Sequence, residues 1–200
     1  KRKDLAQALE HLDRALEIDP GHLAALNQKG MTLTAQDKTP QAHACFEKAI
    51  GLSPEAGDIL LNLGMCCRTL YKNEEALSHF RKCVQVRPDW PDAHATLGWV
   101  LEKNQDADEA RQVLETALRL DGDHPLANLT LARCDIRDEA FDEARARLER
   151  LMEHSAEDGI KKAAANGLGQ ILDRQGLYEE AFQAFTQCND KSALSARAGG

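Results

Sequence analysis

An alanine returns along this chain at a fixed interval: Ala8, Ala42, Ala76, Ala110 and Ala144 stand 34 residues apart, and Ala181 follows after 37. Other positions keep step with it. Twelve residues before the later anchors stand Gly30, Gly64, Gly98, Ala132 and Gly169, all small. Four residues after the anchors stand Leu12, Phe46, Phe80, Leu114, Leu148 and Phe185, all large and apolar, and seven after come Ala15, Ala49, Cys83, Ala117, Leu151 and Cys188. Such a period excludes an ordinary globule with one irregular core, because each module must bury its apolar side against a copy of itself.

The apolar spacing within each module is helical, and breakers divide it in two. Asp19-Pro20, Ser53-Pro54 and Arg87-Pro88 close one module and turn the chain toward the next, since proline disfavours helical geometry in the residue before it. Asp121-Gly122-Asp123-His124-Pro125 occupies the same place in the fourth module. Thr39-Pro40 reads as a helix N-cap followed by proline at the first helical position. A glycine inside a helix costs about 1 kcal/mol against alanine, so its recurrence at Gly30, Gly64 and Gly98 calls for a close approach between helices.

This pattern resembles the tetratricopeptide repeat, which keeps a small residue at position 8, alanine at 20, an aromatic at 24, alanine at 27 and proline at 32. The resemblance spans nearly the whole chain and implies an all-α fold, a right-handed α-solenoid of stacked antiparallel helix pairs, and one repeat domain over residues 1–200. Residues 1–21 then form a lone second helix of a truncated repeat, with its helix at about 3–19. Repeats follow at about 23–56, 57–90, 91–124, 125–158 and 162–195, with pairs opening near His22, Gly57, Pro91, Pro125 and Ile160. The lone helix carries Leu5, Leu9, Leu12 and Leu16 on one face, open on the side away from the first pair. That face is a candidate for self-association, or else the natural chain continues upstream. The loop from Glu153 to Gly159 holds the three extra residues of the longer last interval.

In the family the first helix of each pair faces a groove with its positions 2, 5, 6, 9, 12 and 13. Carried onto this sequence, these give Asn27, Gln28 and Met31; Asp58, Asn62, Met65 and Arg68; Asp92, Thr96, Trp99 and Glu102; and Thr130, Arg133 and Arg137. Met31, Met65 and Trp99 form an apolar row at position 9, which either lines the groove or belongs to the core. In the groove, thioethers and an indole suit a peptide with apolar anchors. Asn62 either exchanges hydrogen bonds with a peptide backbone or is merely solvated. The two-carboxylate clamp of chaperone-binding members needs lysine, arginine and asparagine at set positions. Of these only Asn62 is present, against Met31, Met65, Asp92 and Thr96 elsewhere.

The remaining chemistry is sparse. A net charge of −8 and the absence of any basic block beyond Lys1–Lys3 argue against nucleic acid as a partner. No apolar run approaches the roughly 18 residues of a membrane helix, which predicts a soluble chain. Six cysteines, including the adjacent Cys66 and Cys67, show no C-x-x-C and predict free thiols in a reducing, cytoplasmic setting. The seven histidines lie one or two per repeat without H-E-x-x-H, no phosphate or dinucleotide loop is present, and no metal, cofactor or catalytic group is expected.

The function implied is a noncatalytic scaffold or adaptor that holds a peptide or protein segment. The last repeat, from Leu168 through Phe182 to Asn189, is also similar to bacterial proteins in which these repeats precede a sulfotransferase domain. The alternative implied by that likeness is the noncatalytic arm of a larger transferase.

Overall fold

A computed structural model describes the backbone of residues 2–186 and the side chains of residues 4–186. Cys188, the other residues expected to end the last repeat at 195, and the final Ala198-Gly199-Gly200 lie outside the described residues. Eleven helices and no strand occur among those described. They are α1 (Arg2–Ile18), α2 (Leu23–Thr34), α3 (Thr39–Leu52), α4 (Gly57–Thr69), α5 (Asn73–Val86), α6 (Pro91–Lys103), α7 (Ala107–Leu120), α8 (Pro125–Arg137), α9 (Phe141–His154), α10 (Asp158–Arg174) and α11, which begins at residue 178. The three prolines of the period each stand two residues past a helix end, at Ile18, Leu52 and Val86. Among the described residues no helix is long and apolar enough to cross a membrane.

The chain forms two compact units, one ending at Ala93 and the other beginning at His94. In the first, α1 packs on α2, α2 on α3, α3 on α4 and α4 on α5. In the second, α7 packs on α8, α8 on α9, and α10 on both α8 and α9. The alanine anchors Ala42, Ala76, Ala110 and Ala144 have no solvent exposure. Each lies where two helices approach too closely for a larger group. The small residue of the first helix faces the large residue of the second. A Cβ placed on Gly30 would stand 2.5 Å from the Phe46 ring, one on Gly64 2.6 Å from Phe80, and one on Gly98 2.4 Å from Leu114. On α1 the four leucines are half-buried, while Ile18 is fully displayed to solvent.

The turn inside each pair is where the structure departs from the reading of Thr39-Pro40. Lys38, not Thr39, precedes α3 as its cap residue, and it makes no side-chain cap bond. The turn is held by backbone bonds instead. Lys38 N–H donates to Leu33 O, Lys72 N–H to Cys67 O, Asp106 N–H to Leu101 O, Ala140 N–H to Asp135 O, and Leu177 N–H to Leu172 O. Each reaches back five residues across a residue with positive φ: Asp37 (59°), Tyr71 (62°), Gln105 (68°), Glu139 (61°) and Gly176 (78°). This is the Schellman closure, whose left-handed residue is usually glycine. Four of the five turns therefore carry a side chain in a conformation that costs an L-residue roughly 1–2 kcal/mol. Tyr71 is 90% exposed, so Tyr71→Gly sacrifices little packing. We expect it to raise stability by roughly 0.5–1 kcal/mol after allowance for the greater freedom of glycine in the unfolded chain. A lower urea midpoint than wild type would contradict this.

Two histidines left unassigned by the sequence also have structural work. His22 Nδ1 accepts from Ala25 N–H at 3.1 Å, and His124 Nδ1 from Ala127 N–H at 3.3 Å, capping α2 and α8. An imidazole acceptor here replaces the usual hydroxyl or carboxylate, meeting one of the amide donors a helix start leaves unpaired.

Candidate functional site

In the first unit the first helices of two successive pairs, α2 and α4, present one continuous surface. Their polar residues are joined. Asn62 Nδ2 donates to Asn27 Oδ1 at 3.1 Å, and Asn27 Nδ2 donates to Asp58 Oδ2 at 2.9 Å. Asn27 thus spends its carbonyl on α4 and its amino group on the carboxylate of the same helix, which fixes the amide orientation. Asn62, read from the sequence as either a peptide contact or a solvated side chain, is tethered through one N–H of its amino group, and its carbonyl oxygen makes none of these bonds.

Beside this amide chain lies a shallow open pocket of about 350 Å³, lined by Met31, Thr34, Ala35, Thr39, Phe46, Asn62, Met65, Cys66 and Thr69. Met31 is 46% exposed and Met65 is half-buried, so both display part of their thioether chains. Two hydroxyls on the rim bond back to their own helices. Thr34 Oγ1 donates to Gly30 O at 3.0 Å and Thr69 Oγ1 to Met65 O at 3.0 Å. Gln28 is exposed and Arg68 half-buried, with a partner of its own. Asp92 is exposed and accepts from Trp90 Nε1 at 3.0 Å, and that indole lies 4.2 Å beneath the Arg87 guanidinium.

The second unit has its own arrangement. Thr96 and Trp99 are half-buried on α6, on the helix that also bears Glu102. Arg133 on α8 pairs with Glu102 (Nη2 to Oε2, 3.4 Å), and Arg137 pairs with Asp138 at 3.5 Å. These two arginines of the expected groove are thereby engaged with carboxylates of the chain. Thr130 does not reach the surface. It is wholly buried, and its hydroxyl donates to Leu126 O at 2.7 Å. A hydroxyl bonded to the carbonyl four residues back is the ordinary way a helix accommodates a buried threonine, and the family register alone did not distinguish this from an open position.

The described cysteines Cys45, Cys66, Cys67, Cys83 and Cys134 are free, and the last four are buried. Burial pushes the Cys67 and Cys83 thiols up to about 11, and those of Cys45, Cys66 and Cys134 upward as well. Each is held as the neutral thiol by the loss of water around it. Cys83 Sγ donates to Gly57 O at 3.2 Å, joining α5 to the start of α4. Cys83 also fills the small-residue position seven after its anchor Ala76.

Comparison with known proteins agrees with the hairpin architecture. Family models of the tetratricopeptide repeat match residues 27–94, 70–126 with 101–165, and 163–190. No curated protein matches the chain significantly. Among solved structures, pilF of Pseudomonas aeruginosa is similar with 19% identity and a TM-score of 0.78, over 95% of this chain and 83% of its own. YrrB, described as a TPR protein with an unusual peptide-binding site, shares 20% identity with a TM-score of 0.69, over 95% of this chain and 99% of its own. Cut9, from the APC/C Cut9-Hcn1 hetero-tetramer, shares 15% identity with a TM-score of 0.81, over 92% of this chain and 36% of its own. Identities this low speak to fold alone. The recurring helical hairpins, together with family models that between them reach from residue 27 to residue 190, make this chain a member of the tetratricopeptide-repeat family.

Proposed function

We propose that the protein is a noncatalytic interaction module that holds a peptide segment of a partner protein on the α2–α4 surface of its first unit. The observation that carries this reading is the adjacency of two complementary features. One is an apolar pocket between Met31 and Met65, open to solvent; the other is a fixed row of amide and carboxylate groups, Asn62, Asn27 and Asp58. A peptide can bury one apolar side chain in the pocket while its backbone bonds to the Asn62 carbonyl and to Gln28. The methionines adapt their shape to more than one anchor, which favours recognition of a class of segments over a single sequence. YrrB, a fold relative with a peptide-binding site, is consistent with such use of this architecture. Arg68 and Asp92 extend the same proposed surface in the first unit. In the second unit Thr96, Trp99, Glu102, Arg133 and Arg137 make a separate contribution, with Trp99 as its apolar element.

Selection of a displayed peptide library on the full chain tests this reading. Bound peptides should share one large apolar residue, and Met65→Glu should weaken them at least tenfold, about 1.4 kcal/mol, with unchanged helical circular dichroism. Recovery of no peptide, or equal affinity for the Met65→Glu variant, would reject it.

A further inference from the structure

Away from that surface, three side chains from three helices converge in the first unit. His43 projects from α3, Cys67 from α4 and Glu75 from α5. His43 Nε2 lies 3.5 Å from Cys67 Sγ, Cys67 Sγ lies 4.0 Å from Glu75 Oε2, and the three donor atoms fall within 4.8 Å of one another. We propose that His43 Nε2, Cys67 Sγ and Glu75 Oε2 form a binding site for a divalent transition metal of the zinc class, with solvent as the fourth ligand.

The distances suit such an ion. Zinc binds sulfur at about 2.3 Å and nitrogen or oxygen at about 2.0–2.2 Å, which sets tetrahedral donors roughly 3.4–3.6 Å apart. The nitrogen–sulfur edge already has this length, the sulfur–oxygen edge needs to close by about half an ångström, and the nitrogen–oxygen edge, within 4.8 Å, must close by movement of the same carboxylate. Glu75 is the group able to move, because it is exposed whereas Cys67 and His43 are buried. The same exposure gives the ion its path in from solvent. A soft sulfur, an imidazole and one carboxylate favour zinc over magnesium or calcium, which require shells of oxygen.

Hydrogen bonding alone leaves the cluster incompletely served. His43 Nδ1 lies 3.3 Å from Glu47 Oε2, one helical turn farther along α3. A proton on Nδ1 donated to that carboxylate leaves Nε2 with its lone pair directed at Cys67. Support of this kind, a carboxylate holding the far ring nitrogen, is what orients metal-ligating histidines. Cys67 then has one proton for two acceptors, His43 Nε2 and Glu75 Oε2. Lys72 Nζ reaches Glu75 Oε2 at 3.0 Å from the solvent side and supplies part of the missing positive charge. On metal capture Cys67 loses its proton to solvent, its sulfur bonds the ion, and Lys72 shifts to the other Glu75 oxygen. The ion would clip the second helix of one repeat to both helices of the next.

Cobalt(II) titration of the full chain, in a phosphine reductant, tests this directly. One equivalent should produce a thiolate-to-cobalt charge-transfer band and the intense visible bands of tetrahedral cobalt, both removed by zinc. Zinc should raise the melting temperature, and a chelator should restore it. Cys67→Ser should abolish the charge-transfer band, and Glu47→Gln should weaken metal binding roughly 10–100-fold. Absence of a thiolate band at one equivalent of cobalt, or its persistence in Cys67→Ser, overturns the site. Should Cys67→Ser not fold, Glu75→Gln at its exposed position decides the matter: an affinity equal to wild type overturns the proposal, and a loss of tenfold or more supports it.

Discussion

Gly64→Ala is expected to destabilise the protein by about 1–2 kcal/mol, although alanine is the better helix former by about 1 kcal/mol. The reason is the Phe80 ring, three of whose carbons would lie within 2.9 Å of the new methyl carbon. Phe80 is fully buried and cannot swing away. Overpacking a rigid core contact costs roughly 1–3 kcal/mol or more, which exceeds the propensity gain. Phe80→Leu made in the same chain should recover part of the loss, giving a coupling energy of at least about 1 kcal/mol in a double-mutant cycle. Urea unfolding of the four proteins measures this. A Gly64→Ala variant as stable as wild type would show that the close approach of α4 and α5 is not what demands glycine. Ala76→Leu, aimed at a fully buried anchor in the same pair, should lower the midpoint by a comparable amount.

In the second unit the largest single loss should come from Asp135→Ala. Asp135 is 3% exposed on α8, and its carboxylate accepts Arg111 Nη1 from α7 at 2.6 Å and Arg147 Nε from α9 at 3.0 Å. One buried charge therefore ties three helices. Arg111 also reaches Asp138 at 2.7 Å, and these bonds hold the guanidinium above its ordinary range and the Asp138 carboxyl below its own. Removing one partner of a buried ionic group costs about 3–5 kcal/mol. Both arginines keep about a third of their surface in water, so the orphaned charges regain some hydration and about 2–3 kcal/mol is the expected loss. Asp135→Asn, which keeps the shape and one acceptor, should lose less. An Asp135→Ala variant within 0.5 kcal/mol of wild type on unfolding would show the network to be dispensable.

Both predictions bear on what was readable beforehand. The close approach at Gly64 follows from the period, which sets a small residue twelve before each anchor, and the structure supplies Phe80 as the group that meets it. The Asp135 network had no such signature. Arg111 and Arg147 lie 24 residues before and 12 after it, and neither spacing is a motif. The proposed metal ligands share that lack of a linear signature. Metal motifs are linear spacings, whereas His43, Cys67 and Glu75 sit on three separate helices. The turns differ in another way. Thr39-Pro40 looked like a side-chain cap, and the left-handed residue that closes the turn is Asp, Tyr, Gln or Glu in four cases, with glycine only at Gly176. Glycine is the residue that usually marks such a closure, so four of the five turns lack the signal by which it is read.

The candidate peptide surface divides along the same line. The family register put Met31, Met65, Asn27 and Asn62 on one helix face each. It did not show that the two asparagines bond to each other, that Thr130 turns inward, or that Arg133 and Arg137 are already paired. Residue type at a fixed interval determined the helices, their pairing and the small-to-large contacts, since steric fit between neighbours in a repeat depends on side-chain volume and local sequence distance. Hydrogen-bond partners and ionic contacts were decided only in the tertiary structure. They depend on the direction and reach of polar side chains across helices, and one sequence period leaves those free.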